Sequence, residues 1–169
     1  MPLDPAFVAD CPYAPSALLL DEILEIDADA GFVAARMPTH ADLPLTRDQR
    51  VHPVRHPRHV SGGLMVHMTG MVALVHAYYV LGLRHAEGWV GYGARITSAR
   101  FHALAPPGEP LRLECRATQL RKSSKTVLAR YAFRFLQGET LVYEGDQTAL
   151  WSRVDLGAEA SAPGTDATA

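Results

Sequence analysis

The chain has 169 residues, is 48% hydrophobic and 20% charged, and carries a net charge of −2. That describes one folded domain with enough apolar material for a core, and it excludes a disordered or collagenous chain. The weakly acidic balance and the lack of any nucleic-acid-binding motif exclude nucleic acid as the expected partner.

The opening "MPLDPAFVAD" is acidic and broken by proline, unlike a signal peptide. Cys11 and Cys115 lie far apart with no CxxC spacing, so neither a disulfide framework nor a zinc ribbon is expected. A reducing compartment fits, and a cytoplasmic location is the expectation. Residues 1–17 are rich in Pro and Ala and read as irregular. A single domain is expected over 18–151. "LLLDEILEID" (Leu18–Asp27), the break "ADAG" and "FVAARM" (Phe32–Met37) read as a hairpin. Residues 38–57 hold four prolines and no clear period, so they form a long loop, a feature often tied to function.

A helix follows, with Ser61 at its N-cap and Gly62 and Gly63 at its entry. Its run to Leu81 is apolar on nearly every face, so both sides should be covered. Leu64–Leu83 approaches the length of a membrane span, but His67, Gly70 and His76 interrupt it. A buried core helix without a membrane span is therefore expected. Gly63, His67, Gly70 and Leu74 fall at i, i+4, i+7 and i+11, on one side. His76 is nine residues from His67, and at about 100° per residue it faces the opposite way. Gly82 is a plausible stop.

The second half changes period. "WVGYGARITSARFHAL" reads as a long strand, in which Gly91 and Gly93 mark a bulge or a close backbone approach. Leu111, Leu113, Cys115 and Ala117 alternate with polar residues. Val127, Ala129, Tyr131, Phe133 and Phe135 define one face, and "ETLVYEGDQTALW" continues the theme. Period two over several segments means antiparallel strands. "LAPPGEP" and "LQGE" are turns. Residues 152–169 form a low-complexity tail expected to be disordered. The fold class is α+β, a sheet wrapped on one long helix. Between Arg84 and Arg134 there are ten Lys/Arg and three acids, a balance of +7. These are either solvated strand faces or a surface for an acidic partner or phosphates.

Five of the eight histidines lie between Val51 and Val80. His52, His56 and His59 have H-x3-H-x2-H spacing. No Cys or carboxylate joins them and prolines break the segment, so no metal site is expected. No G-x-S-x-G elbow is present, and Ser61 reads as a cap rather than a nucleophile.

In order, these segments resemble the hotdog fold, and within it the bacterial 3-hydroxyacyl-ACP dehydratases, over about residues 12–151. The resemblance rests on "LLLDEILEIDADAGFVAARM", on the His52, His56-Pro57, Gly62 series before the helix, and on "ITSARFHALAPPGEP" with the strands after it. Similarity to hotdog long-chain acyl-CoA thioesterases is weaker. The resemblance implies an acyl-thioester enzyme of fatty-acid or related metabolism and a homodimer with sites between subunits. It implies no resident cofactor, since the substrate rides on the phosphopantetheine of acyl carrier protein or CoA. It places the catalytic base at His52, with His56 as the alternative, and the helix carboxylate position at His67. No acid lies anywhere from Arg50 to Leu83, so His67 would be the second polar group. An imidazolium can donate a proton near neutral pH. The bland readings are a hydrogen-bonded core histidine for His67 and a solvated loop histidine for His52. His59, Ser61, Gly62, Gly63 and Gly70 would line the substrate site. Dehydration is favoured; thioester hydrolysis and a non-catalytic acyl-binding subunit are the alternatives.

Overall fold

A computed structural model describes residues 1–155. Two short helices, α1 (Pro5–Asp10) and α2 (Pro15–Leu18), open the chain. The segment expected to be irregular is thus partly helical. Proline starts each helix, where its fixed φ suits the first turn, and Asp4 caps α1 by accepting from the Ala6 N–H at 2.8 Å. Phe7 and Leu18 are buried, which ties both helices to the core.

Strands β1 (Glu22–Asp27) and β2 (Phe32–Met37) form the expected hairpin, four residues shorter at its start than the apolar run suggests. Leu18 belongs to α2, and Leu19 has a left-handed backbone (φ 54°) that prevents the strand from beginning there. The loop from 38 to 61 contains no helix or strand. Helix α3 (Gly62–Tyr79) is followed by β3 (Trp89–Phe101), β4 (Leu111–Lys122), β5 (Thr126–Gln137) and β6 (Thr140–Arg153). Because β6 runs to Arg153, Ser152 and Arg153 are strand rather than tail. Residues 156–169, also expected to be disordered, lie outside the described residues.

All six strands form one antiparallel sheet in the order β1-β2-β4-β5-β6-β3. Alternation decides which face meets α3. Leu111, Leu113, Cys115, Ala129, Tyr131, Phe133 and Phe135 are buried, as their period predicts. Each large side chain so buried contributes about 1.5–3 kcal/mol relative to exposure. Helix α3 packs across β2 and β4, and its Met68, Val72 and Val75 are fully buried. Its cover is incomplete, because Gly63 and Gly70 remain exposed on the stripe they share with His67. At the C-terminal end, Gly82 takes φ 69° and lets the Leu83 N–H reach the Ala77 carbonyl at 2.9 Å.

Part of the basic stretch is consumed in cross-strand pairs. Arg100 meets Glu144 at 3.1 Å, Arg112 meets Glu25 at 2.7 Å, and Arg134 meets Glu114 at 3.4 Å. Strand β3 is the sheet's edge. Nearly every residue in it is exposed, including Tyr92, Ile96 and Phe101. Both glycine expectations hold there. The β3–β6 register shifts after Gly93, and the Trp151 ring lies where a Cβ on Gly91 would have to sit.

Candidate functional site

His67 is half-buried on the open stripe of α3. Its Nε2 lies 2.8 Å from the Ala17 carbonyl, so Nε2–H donates and that tautomer is fixed. The Tyr13 ring stands edge-on to the imidazole at 5.7 Å. Nδ1 of His67 has no hydrogen-bond partner among the described residues. The N-terminal segment therefore orients this histidine and leaves one basic nitrogen open.

The loop histidines are held differently. His52 and His56 bridge through their backbones at 2.8 and 2.9 Å. His52 Nδ1 accepts the N–H groups of Arg55 at 2.9 Å and Val54 at 3.2 Å. Its lone pair is spent on the loop, and neutral His52 carries its proton on Nε2. His56 and His59 rings lie 5.1 Å apart, and His59 Nδ1 contacts the Pro57 carbonyl at 2.7 Å. The Gln49 amide clamps the His59 backbone from both sides, at 2.9 and 3.2 Å. Among the described residues no hydrogen bond or ring contact joins His52 to His67, and no group of three or more His, Cys, Asp or Glu gathers to hold a metal.

Ser61 takes the N-cap position, but its side chain makes no capping bond. Its own N–H donates to Thr46 Oγ1 at 3.3 Å. The side-chain cap that the sequence suggests is thus absent, and the first N–H groups of α3 stay open to an anion or a polarised oxygen. A pocket of about 190 Å³ lies at this end, lined by His59, Gly62, Met65, Phe101 and Leu104. A Cβ on Gly62 would come within 2.9 Å of the exposed Phe101 ring, which would have to shift to admit it.

A second cavity of about 120 Å³ opens further along α3, between Gly70 and the sheet. Its lining includes Tyr13, Tyr92, Tyr131, Phe133, Gln147 and Trp151. No atom lies within 4 Å of where a Gly70 Cβ would be. Neither pocket is lined by an acid. Behind the cavity, the Tyr131 hydroxyl donates to His76 Nδ1 at 3.2 Å. Burial lowers the His76 pKa to about 4 and pushes the Tyr131 hydroxyl up, so this pair is neutral and a poor proton source. Burial likewise pushes the Cys115 thiol up, which removes it as a nucleophile.

Helical spacing correctly puts His67, Gly63 and Gly70 on one side of the helix, with Gly62 at its entry, and separates His76 from them. Sequence reasoning misses Tyr13, Ala17, Gln147 and Trp151. Period two places Tyr131 inward, but nothing in the pattern announces a cavity between layers.

No family model and no curated protein sequence matches the chain. Solved structures do. The dehydratase heterocomplex ApeI:P from Xenorhabdus doucetiae is similar at 14% identity and a TM-score of 0.59, covering 93% of each chain. A thioesterase from Pseudomonas aeruginosa is similar at 14% identity and a TM-score of 0.59, over 88% of this chain and 92% of that one. A putative thioesterase from Ralstonia eutropha, related to phenylacetic acid degradation, is 20% identical with a TM-score of 0.55, over 85% and 95%. At such identities the likeness carries the fold: an antiparallel six-stranded sheet on one long helix, the hotdog arrangement.

Proposed function

We propose that this protein processes acyl thioesters, and that its reaction is dehydration of a 3-hydroxyacyl group at the open stripe of α3. The observation that carries this reading is His67, whose Nε2–H is held by Ala17 while Nδ1 stays free. The substrate lies along one helix face. The free N–H groups of Gly62 and Gly63 polarise the thioester oxygen, a task suited to a helix N-terminus. His67 is four residues beyond Gly63, about 6 Å along the axis, and Gly70 about 4.5 Å further.

No carboxylate lines the pockets, so one histidine does both proton transfers. His67 Nδ1 takes the proton from C2 and becomes an imidazolium. The electron pair forms the C2–C3 double bond and the C3–O bond breaks. The leaving hydroxide takes the same proton and departs as water, restoring neutral His67. The base role thus suits His67 better than His52, whose Nδ1 is occupied in its loop. His52 or His56 takes part only if a second copy brings that loop to the site.

A homodimer belongs to the same reading. An exposed edge strand of thirteen residues with Tyr92, Ile96 and Phe101 is a surface that proteins cover, and Tyr92 also lines the Gly70 cavity. The carrier is acyl carrier protein or CoA, whose phosphates suit the exposed Arg121, Lys122 and Arg130. The test is turnover of a 3-hydroxyacyl and a saturated acyl thioester. Enoyl product from the first supports dehydration. Free thiol instead supports the hydrolase reading, and acyl binding without product supports a non-catalytic subunit.

A further inference from the structure

The cavity beside Gly70 differs from a channel for a straight fatty chain. Its volume is about 120 Å³, close to that of an engineered cavity, about 150 Å³, that holds a benzene molecule. Five aromatic side chains line it, Tyr131, Phe133 and Trp151 buried and Tyr13 and Tyr92 exposed. Aromatic rings pair with one another through edge and offset contacts worth more than their area alone. Two buried donors sit in the same lining without an aligned hydrogen-bond partner, the Trp151 indole Nε1 and the Gln147 amide Nε2, the latter beside the Tyr143 hydroxyl. The indole is a donor only, and Trp151 is 5% exposed. It lies beside the Tyr131 hydroxyl and opposes the effect of burial on it, but the two lack the alignment of a hydrogen bond. A buried donor left unpaired is costly, and a ligand acceptor would relieve that cost. Trp151 owes its place to Gly91, since any side chain at Gly91 would displace the indole ring.

We propose that this cavity takes an aromatic ring carried by the acyl group beyond C3, with an oxygen substituent that accepts from the Trp151 indole or the Gln147 amide. The inference rests on the acyl-thioester reading above and names its substrate class: aryl, oxygen-substituted acyl thioesters in preference to long alkyl ones. With C1 at the helix start and C3 at His67, the ring of a 3-arylpropanoyl group falls beside Gly70. A cavity of this size holds about one ring-sized group and is far too small for the long alkyl tail of a hexadecanoyl group.

The experiment compares dissociation constants of four CoA thioesters, 3-phenylpropanoyl, 3-(4-hydroxyphenyl)propanoyl, octanoyl and hexadecanoyl, by calorimetry on the full chain. The aryl pair is expected to bind at least about tenfold more tightly than hexadecanoyl-CoA. The hydroxyl is expected to add a further factor of about ten, the worth of one buried hydrogen bond. Trp151→Phe with Gln147→Leu keeps the lining apolar and removes both donors, so the hydroxyl advantage should vanish while 3-phenylpropanoyl still binds more tightly than hexadecanoyl. Gly70→Leu fills the mouth and favours the helix, so it should abolish the aryl preference without lowering the melting temperature. Hexadecanoyl-CoA binding as tightly as the aryl pair, or a hydroxyl advantage that survives the double substitution, overturns the proposal and leaves acyl-thioester processing standing. If none of the four binds, on CoA or on acyl carrier protein, the acyl-thioester reading itself falls.

Discussion

His67 and His52 have the same side chain and opposite hydrogen-bonding situations. His67 gives its Nε2 proton to Ala17 and keeps Nδ1 free; His52 gives its Nδ1 lone pair to two backbone N–H groups. The consequence is measurable. His67→Gln should lower dehydration by about 10²–10⁴, the usual worth of a general acid–base group, with little change in melting temperature. His67→Glu should keep or raise the rate by supplying a carboxylate at the same place. His52→Ala should change kcat/KM by less than about tenfold, and a full loss there would return the base role to His52. Helical spacing by itself separates His67 from His76, because 100° per residue is a fixed property of the helix. The Ala17 carbonyl and the Tyr13 ring are not legible in that way. They come from a segment about 50 residues away whose prolines and alanines carry no periodic signal.

Helix α3 and strand β5 meet through a polar contact inside an apolar layer. His76 is fully buried, bonded to Tyr131, and its pKa is lowered to about 4, by burial first and then by the Lys122 charge. The unfolded chain has the ordinary value of about 6.5, so it binds the proton first as pH falls. The folded state therefore has its full stability from this group above about pH 6.5. It loses stability down to about pH 4, by at most about 3 kcal/mol. Urea unfolding at pH 7 and pH 4.5 should show that loss, and His76→Leu should flatten it. A slope unchanged by the substitution would place the acid sensitivity elsewhere. At this scale the sequence is informative about the strands, since Val127, Ala129, Tyr131, Phe133 and Phe135 recur at period two and all five are buried. It is less informative about ends. Leu18 reads as strand, yet the left-handed Leu19 cuts it off from β1, and β6 outruns Trp151 by two residues. Propensity and hydrophobicity do not encode where a backbone turns.

The sheet as a whole ends in β3, long, exposed and unpaired on one side. If a second copy covers it, sedimentation should give twice the chain's mass, and Ile96→Lys should shift the population toward monomer. The same substitution should weaken acyl binding, because Gly91, Tyr92 and Gly93 of this strand line the cavity. A monomeric wild-type chain with full activity would separate the site from the edge. The order of segments carries the architecture. The missing carboxylate between Arg50 and Leu83 is equally plain in the sequence, and the structure supplies no acid from elsewhere to either pocket. Dehydration at α3 is tested most directly by giving the purified protein a 3-hydroxyacyl-CoA, in alkyl and 3-phenyl forms, beside its saturated counterpart. Enoyl absorbance and free thiol are then followed together. A histidine-driven elimination predicts enoyl product from the 3-hydroxyacyl substrates, lost in His67→Gln, and little thiol from any of them. Thiol release from the saturated substrates with no enoyl product would contradict it.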